Sequence, residues 1–157
     1  MQMKNFQEIN RYPSMYLTAL YEPRDNGLCL EISEFMTSET VQDVLINDKV
    51  ISENRLLSVN ENGTKFNISF HRYVAYQVFN ESFLNFNDWE EYETGEFNTF
   101  CIFKKSRYMD FIKNETIADY IFSDELMHYG VYCQNHVVHI ISTLDPVIEK
   151  ISNIPQL

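Results

Sequence analysis

The sequence predicts an α+β fold: a curled or barrel-like antiparallel sheet with two or three short covering helices. Three observations carry this. Residues 65–78 alternate: Phe66, Ile68, Phe70, Val74, Tyr76 and Val78 share one parity, and Asn67, Ser69, His71, Tyr73, Ala75 and Gln77 the other. That is the pattern of a half-buried strand, and two distinct faces suit an antiparallel sheet better than a parallel one. Aromatics are abundant (12 Phe, 10 Tyr, 1 Trp) and glycines scarce (4), which favours packed strands over disorder or a glycine-rich phosphate loop. Connections are short and no β–α–β alternation is sustained. No repeat, linker or low-complexity segment interrupts the 157 residues, so 1–157 reads as a single domain.

In chain order, SMYLTALYE (14–22) and LCLEISEF (28–35) flank a turn containing Asn26-Gly27 and read as a hairpin. TSETVQDVLIN (37–47) places Val41, Val44 and Leu45 at helical spacing behind a Thr37 or Ser38 cap, which predicts a short helix. KVISENRLLSV (49–59) is a strand, and NENG (60–63) a turn. The long alternating run after it is one strand, or two with a bend near Arg72. NFNDWEEYETGE (85–96) is an acidic loop and FNTFCIFK (97–104) a strand. SRYMDFIKNETIADYIF (106–122) is helical, capped by Ser106, with Tyr108, Phe111, Ile112 and Ile117 as its apolar stripe. HYGVYCQ (128–134) and HVVHIIS (136–142) make a strand pair or one kinked strand. DPVIEKI (145–151) reads as a helix, with Asp145 as cap and Pro146 at its first position.

The net charge of −11 disfavours nucleic acid and anionic membrane surfaces and would steer a cationic partner inward; plain solubility is the simpler reading. The N-terminal MQMKNFQEINRYPS lacks the apolar stretch of a signal peptide, and no run reaches membrane-span length, so the expected location is cytoplasmic. Cys29, Cys101 and Cys133 sit in apolar segments and are expected as buried, reduced thiols. In that setting the N-x-S/T triplets at Asn62, Asn67, Asn80 and Asn114 are composition only.

Three segments are candidate sites. Cys133, His136 and His139 stand at C-x-x-H-x-x-H spacing. On a strand His136 and His139 point to opposite faces, and Cys133 lies about 20 Å from His139 at ~3.3 Å per residue. The β-branched residues between and after them favour the strand, so no metal and no cofactor are expected, although His128 could approach from a neighbouring strand. Arg72 interrupts an apolar parity. With His71 and Tyr76 it could line an anion-binding cavity, or it could simply turn to solvent or pair with Glu31 or Glu81. The acidic loop interleaves Asp88, Glu90, Glu91 and Glu93 with Trp89 and Tyr92, a composition suited to a contact patch on a basic partner. It lacks the D-x-D-x-D-G order of a calcium loop. No G-x-S-x-G, G-x-x-x-x-G-K or G-x-G-x-x-G occurs, and nothing points to a catalytic residue.

The segments FHRYVAYQVFNESF, FKKSRYMDFI and HYGVYCQNHVVHIIS resemble small acidic uncharacterised or immunity-like proteins of Gram-positive bacteria. The resemblance covers residues 64–148 and is one of order and texture rather than of a signature. It implies a cytosolic, non-catalytic protein that binds a cognate toxin, and it transfers no site residues. The expected function is therefore protein binding through the acidic face, with a basic protein such as a nuclease toxin as partner. The alternatives are a small-ligand-binding sheet with its pocket near Arg72 and a metal-dependent enzyme using His128, His136 or His139.

Overall fold

The structure, a computed structural model, describes residues 5–85, 89–96 and 98–151. In chain order its elements are α1 (Phe6–Ile9), β1 (Met15–Tyr21), β2 (Leu28–Thr37), β3 (Gln42–Ile46), β4 (Lys49–Asn54), β5 (Leu57–Val59), β6 (Lys65–Phe70) and β7 (Tyr73–Asn80). After a 3-10 turn at Glu81–Phe83 come β8 (Glu91–Thr94), β9 (Phe100–Lys105), α2 (Arg107–Glu115), α3 (Ala118–Phe122), β10 (Met127–Tyr132), β11 (His136–Ser142) and β12 (Val147–Ile151). One sheet runs β1-β2-β6-β12, with β5 also on β2. The second runs β7-β11-β10-β9-β8. All pairings are antiparallel, as expected, and no closed barrel forms among the described residues.

The alternation read from the sequence places the core. Leu28, Leu30 and Ile32 of β2 and Phe66, Ile68 and Phe70 of β6 share one buried cluster with Phe100, Tyr129, Val131, Val138 and Ile140 of the second sheet. The two sheets therefore face each other across this layer. The second sheet buries its other face as well. Ile141 packs there with Tyr108 and Ile112 of α2 and Ala118 of α3. This explains why β11 reads as a nearly continuous apolar run: a strand covered on both sides needs no wet parity.

The bend at Arg72 is where the chain leaves β6 in one sheet and enters β7 in the other. Ser106 caps α2, its Oγ accepting from the Met109 N–H at 3.0 Å. Of the expected stripe, Tyr108 and Ile112 are buried, whereas Phe111 and Ile117 are exposed.

Two helices expected from the sequence are strands. Residues 37–47 contain β3, which forms a two-stranded arm with β4. Asn47 and Asp48 both have positive φ, 49° and 60°, and Ile46 pairs with Lys49 across them. A two-residue loop with both central residues left-handed matches the twist of a hairpin and overrides the helical spacing of Val41, Val44 and Leu45. Residues 145–151 contain β12 instead of a helix. Asp145 accepts a hydrogen bond from the Tyr129 hydroxyl at 2.8 Å, and Ile148 pairs with Ile68 at the sheet edge. The acidic loop is also part strand, since β8 pairs with β9.

Two asparagine amides act as short pieces of backbone between the layers. Asn10 donates to the Phe100 carbonyl (2.9 Å) and accepts from the Phe100 N–H (2.8 Å). Asn135, at the β10–β11 turn, does the same to Leu17 of β1 at 2.9 Å in both directions. Asn135→Ala should cost about 1–3 kcal/mol, because it leaves an edge-strand N–H and C=O unpaired. Asn135→Asp keeps the acceptor and should fall between the two. Urea unfolding of the three proteins checks this; equal midpoints would remove the amide from the fold's stabilisation.

Candidate functional site

The histidine segment is built by the pairing of β10 with β11. Gly130 stands opposite His139 and His128 opposite Ile141, so His128 and His139 are diagonal neighbours on the face covered by α2. Their Nε2 and Nδ1 atoms lie 2.9 Å apart. His128 Nδ1 lies 2.6 Å from Ser106 Oγ at the start of α2. Gly130 lets Cys101, Phe103 and Tyr132 pack closely on this face. A Cβ there would come within 2.7 Å of Cys101 Sγ and 2.9 Å of the Phe103 and Tyr132 rings. Phe103 stacks on His128, with ring centroids 4.0 Å apart and planes 10° from parallel.

Ser106, His128 and His139 are all buried. Burial holds His128 well below the usual imidazole range, with His139 reinforcing it. Burial alone lowers His139 to about 4. Both are neutral at pH 7. His136, of opposite parity, takes no part, and its buried Nδ1 has no hydrogen-bond partner among the described residues. Cys133 is buried too, its thiol pushed up by burial to about 12, so it is core rather than nucleophile. Among the described residues no three His, Cys, Asp or Glu side chains converge as a metal site.

His139 reaches a cavity of about 750 Å³ between β7, β8, α2 and the β10–β11 pair. Phe79, Phe83, Tyr108, Phe111 and Tyr132 supply its aromatic lining. Glu90, Glu96, Arg107, Gln77 and Asn85 supply polar groups, and Tyr92 and Tyr132 meet hydroxyl to hydroxyl at 3.4 Å. Burial raises the Glu90 carboxyl above its ordinary value, opposed by the Arg107 backbone N–H and guanidinium.

The acidic residues are not gathered on one surface. Asp88 lies outside the described residues. Trp89 is covered by Lys105, 4.2 Å from its ring, with Arg107 at 5.7 Å. Glu90 and Tyr92 face the cavity, Glu91 pairs with Lys104 and Lys105 at 3.9 and 3.7 Å, and Glu93 is exposed. The His71, Arg72 and Tyr76 group lies elsewhere. His71 and Arg72 are exposed at the turn between the sheets, His71 Nδ1 lies 3.0 Å from Arg24 Nη2, and Tyr76 donates to Glu22. None of the three lines the cavity.

The second surface feature is the β3–β4 arm; the sequence reading placed its first strand on a helix and expected its second as a strand. Leu45 is 67% exposed, Val50 61% and Ile46 51%. Leu45 pairs with Val50 on one face of the arm and Val44 with Ile51 on the other. Met36, Leu56 and Leu57 at its base are exposed as well. The signal that could have found it was Asn47-Asp48 between two β-branched runs.

Fold and surface together define an antiparallel α+β domain with a projecting apolar arm and a separate aromatic cavity. Comparison with family models, with curated proteins and with solved structures gives no match in any of the three. Among the described residues no helix is long and apolar enough to cross a membrane.

Proposed function

We propose that the chain is a non-catalytic protein-binding module whose β3–β4 arm docks onto a basic partner. The exposed arm carries this reading. An isolated two-stranded hairpin is marginally stable in water, and contiguous exposed apolar groups mark contact surfaces. Among the described residues no further strand pairs with either arm edge, which suits strand addition. Glu39, Asp43, Asp48 and Glu53 interleave with the apolar residues, and with the net charge of −11 they favour a cationic occupant. A nuclease toxin, whose site must be cationic to hold phosphates, is the partner that the resemblance to immunity-like proteins suggests. Three free buried cysteines fit a reducing, cytoplasmic setting.

The test is a titration of the chain against a panel of purified basic ribonuclease and deoxyribonuclease domains at low and high salt. Binding that weakens with salt is expected. The Leu45→Asp/Val50→Asp variant should lose about 2 kcal/mol or more, roughly 30-fold in Kd, while its unfolding midpoint stays put. Equal binding by parent and variant would remove the arm from the interface. Concentration-dependent dimerisation lost in the variant would assign the arm to a second copy of this chain instead.

A further inference from the structure

We propose that the cavity beside His139 is a second, independent binding site, for a small, flat, uncharged heteroaromatic of two or three fused rings whose edge carries a hydrogen-bond acceptor beside a donor. The acceptor follows from the direction of the Ser106–His128–His139 chain. Ser106 Oγ already accepts the Met109 N–H. If its hydroxyl donates to His128 Nδ1, the His128 proton sits on Nε2 and is donated to His139 Nδ1. The His139 proton then sits on Nε2. The reverse order would leave the buried Ser106 hydroxyl proton without an acceptor, a state that costs its desolvation. His139 Nε2 has no partner among the described residues, although the residue is only 5% exposed and lines the cavity. The wall therefore presents a fixed, neutral N–H donor that calls for an acceptor on the occupant.

The donor on the occupant follows from Glu90 and Glu96, the two carboxylate-bearing residues that line the same cavity. A carboxylate paired with a ring amino group is an established mode of base recognition. The flat body follows from the aromatic lining: rings stack on rings with little dependence on their substituents. The volume suits a fused-ring molecule rather than a single small ring. Charge excludes phosphorylated forms. Arg107 is the one lysine or arginine among the described lining residues, against two carboxylates, on a chain of net charge −11.

The probes are lumichrome, pterin and adenine, with phenyltrimethylammonium and benzoate as charged aromatic controls. Each is titrated into the full chain at pH 7.5 by calorimetry and by ¹⁵N-histidine NMR. The heterocycles should bind and move the His139 signals, and the controls should not. Glu90→Gln, which keeps the shape and removes the charge, should weaken heterocycle binding about tenfold. Before any probe is added, His139 should show its proton on Nε2; a proton on Nδ1 would overturn the acceptor argument. Binding of phenyltrimethylammonium alone would make the site an aromatic cage for cations. Binding of benzoate alone would make it an Arg107 anion site. Either result, or no binding by any probe, overturns the proposal.

Discussion

Acidifying the protein from pH 6.5 to pH 4 should lower its stability by about 3 kcal/mol through His139 alone. The folded protein keeps this imidazole neutral down to about pH 4, because burial disfavours the charged form. In the unfolded chain it protonates near 6.5. Between those values the unfolded state binds more protons, so stability rises with pH and is lost as pH falls through that window. His128 adds to the effect in the same direction. Its depression comes from burial first and from His139 second. A proton on His139 Nδ1 would break the 2.9 Å contact between the rings, and one on His128 Nδ1 would remove the acceptor that faces Ser106. Phe103, Tyr108 and Tyr132 ring the pair and Ser106 is neutral. Carboxylates also titrate toward the acid end, so the measurement is a difference. His139→Phe keeps a ring among these aromatics and removes the titration. Urea unfolding at pH 6.5, 5.5 and 4.5 should show a steeper loss for the parent than for the variant. Parallel losses would mean that the buried histidines are not the acid-labile element.

The largest effect of a single truncation is expected at Tyr129. Its ring is fully buried between the sheets, 5.4 Å from Phe70 of one and 5.9 Å from Phe100 of its own. Its hydroxyl reaches Asp145, just before β12. Burial first, and Asp145 second, push the phenol above its ordinary range, so it stays a donor. Tyr129→Ala removes the ring and should cost about 3–5 kcal/mol. Tyr129→Phe keeps the ring and should cost about 1–2 kcal/mol for the hydrogen bond to a charged, half-exposed acceptor. Thermal unfolding separates the two: for a domain of this size the alanine variant should melt roughly 10 °C lower. If Tyr129→Phe cost as much as Tyr129→Ala, the hydroxyl rather than the ring would be what holds the layer.

The parts of this fold that could be read from sequence are those in which burial imposes a period. Leu28, Leu30 and Ile32, and Phe66, Ile68 and Phe70, alternate because one face meets the core. The cap at Ser106 was legible because its chemistry is local. The first strand of the arm was not, because no described residue buries it: with apolar groups on both faces, Val41, Val44 and Leu45 fit a helix equally well, and only the left-handed pair at Asn47-Asp48 decides. At 145–151 the Asp-Pro pair is a sound helix start, but the carboxylate is claimed from a distance by Tyr129. For the site, strand parity correctly separates His136 from His139. The meeting of His128 with His139 depends on which residue of β10 stands opposite which residue of β11, and a single sequence does not carry that register. The cavity draws residues from several elements far apart in the chain, and its histidine lies in none of the loops.

The asparagine at the β10–β11 turn has a consequence for the route to the folded state. Its bonds to Leu17 join positions 118 residues apart along the chain. The hairpin that presents it can form locally, within microseconds, whereas β1 must wait for a closure that long before its edge finds a partner. Until then β1 and β2 would exist as a ribbon with Leu28, Leu30 and Ile32 open to water and to other chains. On a ribosome that ribbon emerges well before the turn that secures it. The interval between the two is when the chain is most exposed to aggregation, and it is the stage at which a chaperone would have the most to do.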